Sequence, residues 1–191
     1  PTVKGYRLFV DTMLTVQPHF PNHQFVIAGI RNLPEELYEK YRSIPNVKVV
    51  FGGVHPSAVP DLVLENKEID FVVVGEGDVA LPHILKNIEN NDYQTPIVNT
   101  RYKTPAGEII RGKQGGFIQD LDSLPFPDKT IWEDYIRVGD IYLIMATRGC
   151  PYRCSFCFNN FFAKLPEENS GKYVRLRSVE HVIEELKYAM K

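Results

Sequence analysis

Three cysteines, Cys150, Cys154 and Cys157, are the only thiols in a chain of 191 residues, and they fall within eight consecutive positions. They stand in Thr147-Arg-Gly-Cys-Pro-Tyr-Arg-Cys-Ser-Phe-Cys157, directly after the apolar run Ile141 to Ala146. Thiolates are the ligands of iron–sulfur clusters, which are commonly held by four of them. A C-x3-C-x2-C loop therefore offers one 4Fe-4S cluster three ligands and leaves one iron open. The donor set is also compatible with zinc, which in structural sites takes four closed ligands and in catalytic sites three plus water. No histidine lies at the short spacing that zinc sites use, the nearest being His181. A disulfide with one leftover thiol is the third alternative, but there is no signal peptide to indicate an oxidising compartment.

The spacing, the aromatic Phe156 before the third cysteine and the preceding Arg-Gly resemble the radical S-adenosylmethionine (radical SAM) superfamily. That resemblance implies a 4Fe-4S cluster on Cys150, Cys154 and Cys157, with the methionine moiety of SAM on the open iron. Phe156 is then expected near the adenine. Reductive cleavage of SAM would give a 5'-deoxyadenosyl radical, with an external electron donor such as flavodoxin or ferredoxin and a small-molecule substrate as partners.

Upstream, short apolar runs alternate with helical spacing, the pattern of an α/β domain with a parallel sheet. Strands are expected at Phe25–Ala28, Val47–Phe51 and Ile69–Val74, the last being apolar enough for burial on both faces. Helices are expected from Pro34 to Ile44, from Pro60 to Glu65 with Val59, Leu62 and Val63 inward, and after Asp78. Asp78 would cap the last of these, and Leu81, Ile84, Leu85 and Ile88 would line it. The second strand runs into Gly52-Gly53-Val-His55-Pro-Ser57 and the third into Gly75-Glu76-Gly77-Asp78. Glycines at the carboxyl ends of parallel strands mark either tight turns or places where backbone approaches a ligand.

Together these two stretches resemble the cobalamin (vitamin B12)-binding-type Rossmann-like domain that precedes many radical SAM barrels. The resemblance implies cobalamin as a further cofactor, with Gly52, Gly53 and His55 as candidate contacts. The family's Asp-x-His-x-x-Gly cobalt-ligating loop does not occur in the chain.

A β-hairpin is expected from Pro96–Tyr102 and Glu108–Arg111 around a turn at Thr104–Gly107. The phrase Leu121-Asp-Ser-Leu-Pro-Phe-Pro127 has two prolines that stiffen a linker, and it resembles the connector between the two domain types. Trp132 and Tyr135 are expected to pack on the barrel end. Ile141–Ala146 would be the first barrel strand, delivering the cysteines at its carboxyl end. Ser178 would cap a terminal helix whose stripe Val179, Val182, Ile183, Leu186, Ala189 and Met190 faces the barrel core. Arg175 and Arg177, two apart in an extended segment, would share a side, either gripping a carboxylate or forming salt bridges. The histidines His19 and His23 sit in a proline-rich loop whose ordinary fate is solvation.

The expected architecture is thus α/β: a cobalamin-type domain at 1–92, a hairpin and linker at 93–140, and the start of a radical SAM partial TIM barrel at 141–191. Eight strand–helix units need roughly 250 residues, so the chain is expected to be a piece of a longer enzyme and inactive alone. Net charge is -2. That near-neutral balance gives no footprint for nucleic acid, no run reaches membrane-span length, and a reducing cytoplasm is the expected setting.

Overall fold

The structure is a computed structural model that describes residues 26–28, 47–128, 142–166 and 171–190. The expected helix at 34–44, His19, His23, Trp132 and Tyr135 lie outside the described residues. The chain divides into two compact units, residues 1–115 and 116–191.

The first unit is built on a five-stranded sheet in the order β1-β2-β3-β4-β5. β1 (Val26–Ala28), β2 (Lys48–Phe51) and β3 (Phe71–Val73) run parallel, and β4 (Thr100–Lys103) and β5 (Ile109–Arg111) add an antiparallel hairpin. The hairpin expected from the turn at Thr104–Gly107 is present, with Gly107 at φ 86° as the turn requires. It completes the same sheet rather than standing beside it.

Val49 and Val50 are adjacent on β2 and both buried, as are Val72 and Val73 on β3. Since neighbouring strand residues point to opposite faces, the sheet is covered on both. One face holds Val50, Phe71, Val73 and Tyr102 against Ala80, Ile84 and Ile88 of the helix α3 (Ala80–Glu89). Phe71 and Tyr102 set their ring centroids 5.1 Å apart. The Tyr102 hydroxyl donates to the Thr95 carbonyl at 2.6 Å, so the one polar atom of a fully buried ring is satisfied. Two short helices, α1 (Val54–Ala58) and α2 (Pro60–Glu65), follow β2, and α2 packs on β3 and β4 through Val63 and Leu64. The Asp70 carboxylate accepts from the Val49 N–H at 2.9 Å and meets Lys48 Nζ at 3.4 Å, fixing β3 beside β2.

Two local expectations are corrected. Leu62 is 58% exposed, and Val63 and Leu64 are the buried residues of α2. Asp78 does not cap α3; the cap position is Val79, with no side-chain hydrogen bond, and the Leu81 N–H is taken instead by the Gly77 carbonyl at 2.9 Å.

The second unit contains a two-stranded antiparallel pair, β6 (Thr147–Arg148) with β7 (Arg175–Leu176), a short helix α4 (Asn159–Phe162) and the helix α5 (Val179–Ala189). Phe117 is the aromatic centre, with Phe162 at 6.2 Å, Tyr173 at 5.2 Å and the Arg175 guanidinium over its face at 4.8 Å. Residues 142–146, expected as strand, have no regular structure; the ladder with β7 begins at Thr147, preceded by a single bond from the Arg177 N–H to the Ala146 carbonyl. Ser178 caps α5 as expected, accepting from the His181 N–H at 3.1 Å.

On α5, Val179, Ile183, Leu186 and Met190 are exposed, and Glu185 is the buried residue of the helix. Among the described residues no helix is long and apolar enough to cross a membrane.

Candidate functional site

Two sets of residues merit construction from the backbone upward, one in each unit.

In the first unit the carboxyl ends of β2 and β3 carry the glycine loops. Gly53 has φ 103°, a conformation that strains any residue with a Cβ, and open space lies above its Cα. Gly52 is not under the same demand, since a Cβ there would meet only the Val73 side chain at an ordinary 3.6 Å. Gly75, at φ 85°, opens the loop after β3.

The residue that joins these loops is Ser57, 2% exposed on α1. Its hydroxyl donates to the Gly53 carbonyl at 2.7 Å and accepts from the Gly75 N–H at 2.9 Å. One side chain thus locks both strand ends into a single edge. A second brace comes from Asn99, buried at φ 59°. Its Nδ2 donates to the Glu76 carbonyl at 3.4 Å, and its Oδ1 accepts from Gln114 Nε2 and the Gly115 N–H, both at 2.7 Å. His55 is exposed on α1, two residues before Ser57. The result is a braced backbone edge with open space at Gly53.

In the second unit the cysteine loop leaves β6 at Gly149. Gly149 has φ 85°, and a Cβ there would lie 2.1 Å from the Tyr173 carbonyl oxygen. Both facts demand glycine, so the Arg-Gly before the first cysteine is a close backbone crossing. Cys150 and Cys157 are half-buried, Cys154 is exposed, and none is in a disulfide. The Cys157 N–H donates to the Cys154 carbonyl at 3.0 Å, and Asn160 Nδ2 donates to the same carbonyl at 2.7 Å. The Tyr173 hydroxyl donates to Asn159 Oδ1 at 2.6 Å, fastening the far end of the loop to the segment that pins its near end.

The structure puts the thiols on one loop but does not gather them: among the described residues no group of three or more His, Cys, Asp or Glu side chains is placed to hold a metal. The donor chemistry fits an iron–sulfur cluster, since only thiols are offered, with no histidine or carboxylate among them. Phe156 is 91% exposed at the loop tip.

Behind the loop lies a buried polar cluster. Arg177 Nη1 pairs with Glu185 Oε2, its Nε donates to His181 Nδ1 at 3.0 Å and its Nη1 to the Met145 carbonyl at 3.1 Å. The Arg177 side chain is 10% exposed and that of Glu185 1%. Glu185 Oε1 also accepts from the Tyr142 hydroxyl at 3.2 Å. Asp122 Oδ1 lies 3.1 Å from His181 Nδ1 as well. One nitrogen cannot accept from Arg177 and donate to Asp122; because the guanidinium proton is fixed, Nδ1 serves it as acceptor. Asp122 instead accepts from the Ser178 N–H at 3.0 Å and 3.2 Å. Hydrogen bonding from Ser178, aided by the charge of Arg177 and opposed by burial, holds the Asp122 carboxyl below its ordinary value.

A cavity of about 160 Å³ opens beside this cluster, lined by Leu124, Pro125, Met145, Arg177, His181 and Glu185 among others. Arg175 turns the other way, donating to the Ile118 carbonyl at 2.9 Å. The two arginines therefore do not act together, and the salt-bridged alternative describes Arg177. Sequence reasoning missed Ser57, Asn99 and Glu185, which have partners 18, 23 and 43 residues away in Gly75, Glu76 and Tyr142.

With this geometry in place, comparison with known proteins is informative. Residues 26–85 match the B12 binding domain family. The chain is 25% identical over 181 residues to an anaerobic magnesium-protoporphyrin IX monomethyl ester cyclase of Rubrivivax gelatinosus, covering 86% of this chain and 31% of the relative. Its fold resembles the cobalamin-dependent S-adenosylmethionine radical enzyme OxsB with aqua-cobalamin and S-adenosylmethionine bound (TM-score 0.65, 17% identity, 93% of this chain and 24% of that one). It also resembles the radical S-adenosylmethionine methyltransferase TsrM from Kitasatospora setae with cobalamin and a [4Fe-4S] cluster bound (TM-score 0.61, 17% identity, 93% and 37%). The chain spans between about a quarter and two fifths of the length of these relatives.

Proposed function

Starting from a chain that belongs with the radical SAM enzymes carrying an N-terminal cobalamin-binding-type domain, we propose that the whole protein is a cobalamin-dependent radical SAM enzyme. In this reading residues 1–92 form the cobalamin-type domain, 93–140 the hairpin and connector, and 141–191 the opening of the catalytic barrel. Cys150, Cys154 and Cys157 hold a 4Fe-4S cluster whose open iron takes SAM, Phe156 lies against the adenine, and Gly52, Gly53 and His55 border the corrin. A reduced cluster of this kind supplies one electron for homolytic cleavage of the SAM carbon–sulfur bond. An external donor such as flavodoxin or ferredoxin provides that electron, and a small molecule is the substrate. The reaction classes that fit are methyl transfer and anaerobic tetrapyrrole modification.

The observation that carries this reading is the free three-thiol loop, entered through a glycine crossing that no other residue fits, in a chain that also has a B12 binding domain. Each part of the chain does a separate task. Ser57 and Asn99 brace the glycine edge where a corrin would lie, and Tyr173 and Asn159 fasten the end of the cysteine loop.

A second reading is a radical SAM enzyme whose B12-type domain holds no cobalamin. The experiment that separates the two is anaerobic purification of the whole protein with added hydroxocobalamin. A retained corrin absorbance, with release of 5'-deoxyadenosine or S-adenosylhomocysteine from SAM under reduction, supports the first. SAM cleavage without any corrin supports the second, and stoichiometric zinc with neither product refutes both.

A further inference from the structure

Glu185 is a carboxylate buried to 1% exposure on a helix whose apolar side faces outward, a costly arrangement unless its partners require it. Two of its contacts, Arg177 and Tyr142, lead to the cysteine loop. Through Arg177, Glu185 reaches the Met145 carbonyl, four residues before Gly149, and through Tyr142 it reaches the start of the same segment. The Arg177 N–H holds the Ala146 carbonyl at 2.9 Å. The ladder from Thr147↔Leu176 to Arg148↔Arg175 then continues to the Gly149 crossing under Tyr173.

Among the described residues, 142–146 belong to no strand ladder, and Arg177 and Glu185 reach this segment at Tyr142, Met145 and Ala146. We propose that Glu185 is a positioning residue for the cysteine loop: it fixes Arg177 and Tyr142, and these fix the backbone that presents Cys150. An apolar pair could fill the same volume without the desolvation penalty. It could not donate to the Met145 carbonyl, which is the step that needs a guanidinium and hence a buried counter-charge.

The proposal rests on the cluster reading above, and its test separates the two. Arg177→Met, Glu185→Leu and the double variant are prepared beside the parent. Amide hydrogen exchange is read over 142–158, with 80–89 as an internal control, on protein without iron. Iron release to a ferrous chelator is read after anaerobic reconstitution.

Loss of the Met145 contact frees this segment to open locally. Each single variant is expected to speed both exchange over 142–158 and iron release about tenfold, a loss of about 1.4 kcal/mol of local protection. The double variant is expected to regain the parent's melting temperature but not its protection, because a merely structural pair would restore both. Should the leucine variant fail to fold, Glu185→Gln replaces it. Exchange over 142–158 within about twofold of the parent in the single variants, or full restoration in the double, overturns the proposal. If the parent assembles no iron, the cluster reading fails, while the exchange result still decides the positioning role.

Discussion

Ser57→Ala is the sharpest probe of the glycine edge. The Ser57 hydroxyl donates to the Gly53 carbonyl at 2.7 Å and accepts from the Gly75 N–H at 2.9 Å, at a site only 2% exposed. Alanine fits the space, so overpacking plays no part. What remains is a Gly75 N–H facing a methyl group, with water kept out by the two loops. An orphaned buried donor costs about 1–3 kcal/mol, and loss of the bond to the carbonyl adds less because that oxygen retains the Ser57 N–H at 3.1 Å.

A total of about 2 kcal/mol changes the unfolding equilibrium by roughly thirtyfold. For a unit of this size it lowers the melting temperature by roughly 10 °C. Chemical denaturation followed by far-ultraviolet circular dichroism measures it, with an unchanged m-value showing that the two states are otherwise the same. Corrin binding should weaken in parallel, since the edge is held only by what remains of Asn99 and Gln114. A loss below about 0.5 kcal/mol, the range of an ordinary surface substitution, would mean that Ser57 does not join the loops and that the rigid edge is misassigned.

Further outcomes follow from single contacts. Gly149→Ala is excluded twice, by φ 85° and by a Cβ 2.1 Å from the Tyr173 carbonyl, and the backbone must shift. It should lower the melting temperature of the second unit and raise the reactivity of Cys150 towards a thiol reagent. Gly171→Ala meets the same two obstacles at φ 93° with Gln119 2.4 Å away, but there a side chain can yield. The bonds of Gln119 to the Lys172 carbonyl and N–H, at 3.1 Å and 2.8 Å, should be lost while the cysteine loop is unaffected, as hydrogen exchange would show. Asp122 has its carboxyl held below the ordinary 3.8 by hydrogen bonding from Ser178. A group with a depressed folded pKa stabilises above its unfolded pKa and ceases to as pH falls through the folded one. The stability difference between the parent and Asp122→Asn should therefore be full at neutral pH and disappear at pH below 3.8, as parallel thermal melts across that window would reveal.

Much of the first unit was legible because its signals are local. The apolar run at 69–74 became β3, the turn at Thr104–Gly107 closed a hairpin, and glycine at position 53 follows from a positive φ. The two bracing residues were not legible. Ser57 reads as one more polar residue of a loop, and its meaning lies in the N–H of Gly75, 18 residues on. Asn99 interrupts an apolar stretch without showing that its amide serves Glu76, Gln114 and Gly115.

The second unit was harder for a related reason. Helical periodicity ranked Val179, Ile183 and Leu186 above His181 and Glu185 for burial, because periodicity weighs each residue alone. Arg177 supplies the counter-charge that lets Glu185 stand in the interior. The run 142–146 has strand composition, but a strand exists only where a ladder does, and the pairing with β7 starts at Thr147. The cysteine motif itself was fully legible from spacing. That its thiols stand apart on the loop was not.

The central claim is that Cys150, Cys154 and Cys157 close on one cluster. The direct measurement is iron and acid-labile sulfide per chain after anaerobic reconstitution, with electron paramagnetic resonance of the reduced protein, in the parent and in Cys154→Ala. The account predicts about four irons and a reduced-cluster signal that SAM perturbs in the parent, and loss of the SAM-sensitive signal in the variant. Stoichiometric zinc in the parent, or an unchanged cluster signal in Cys154→Ala, would contradict it.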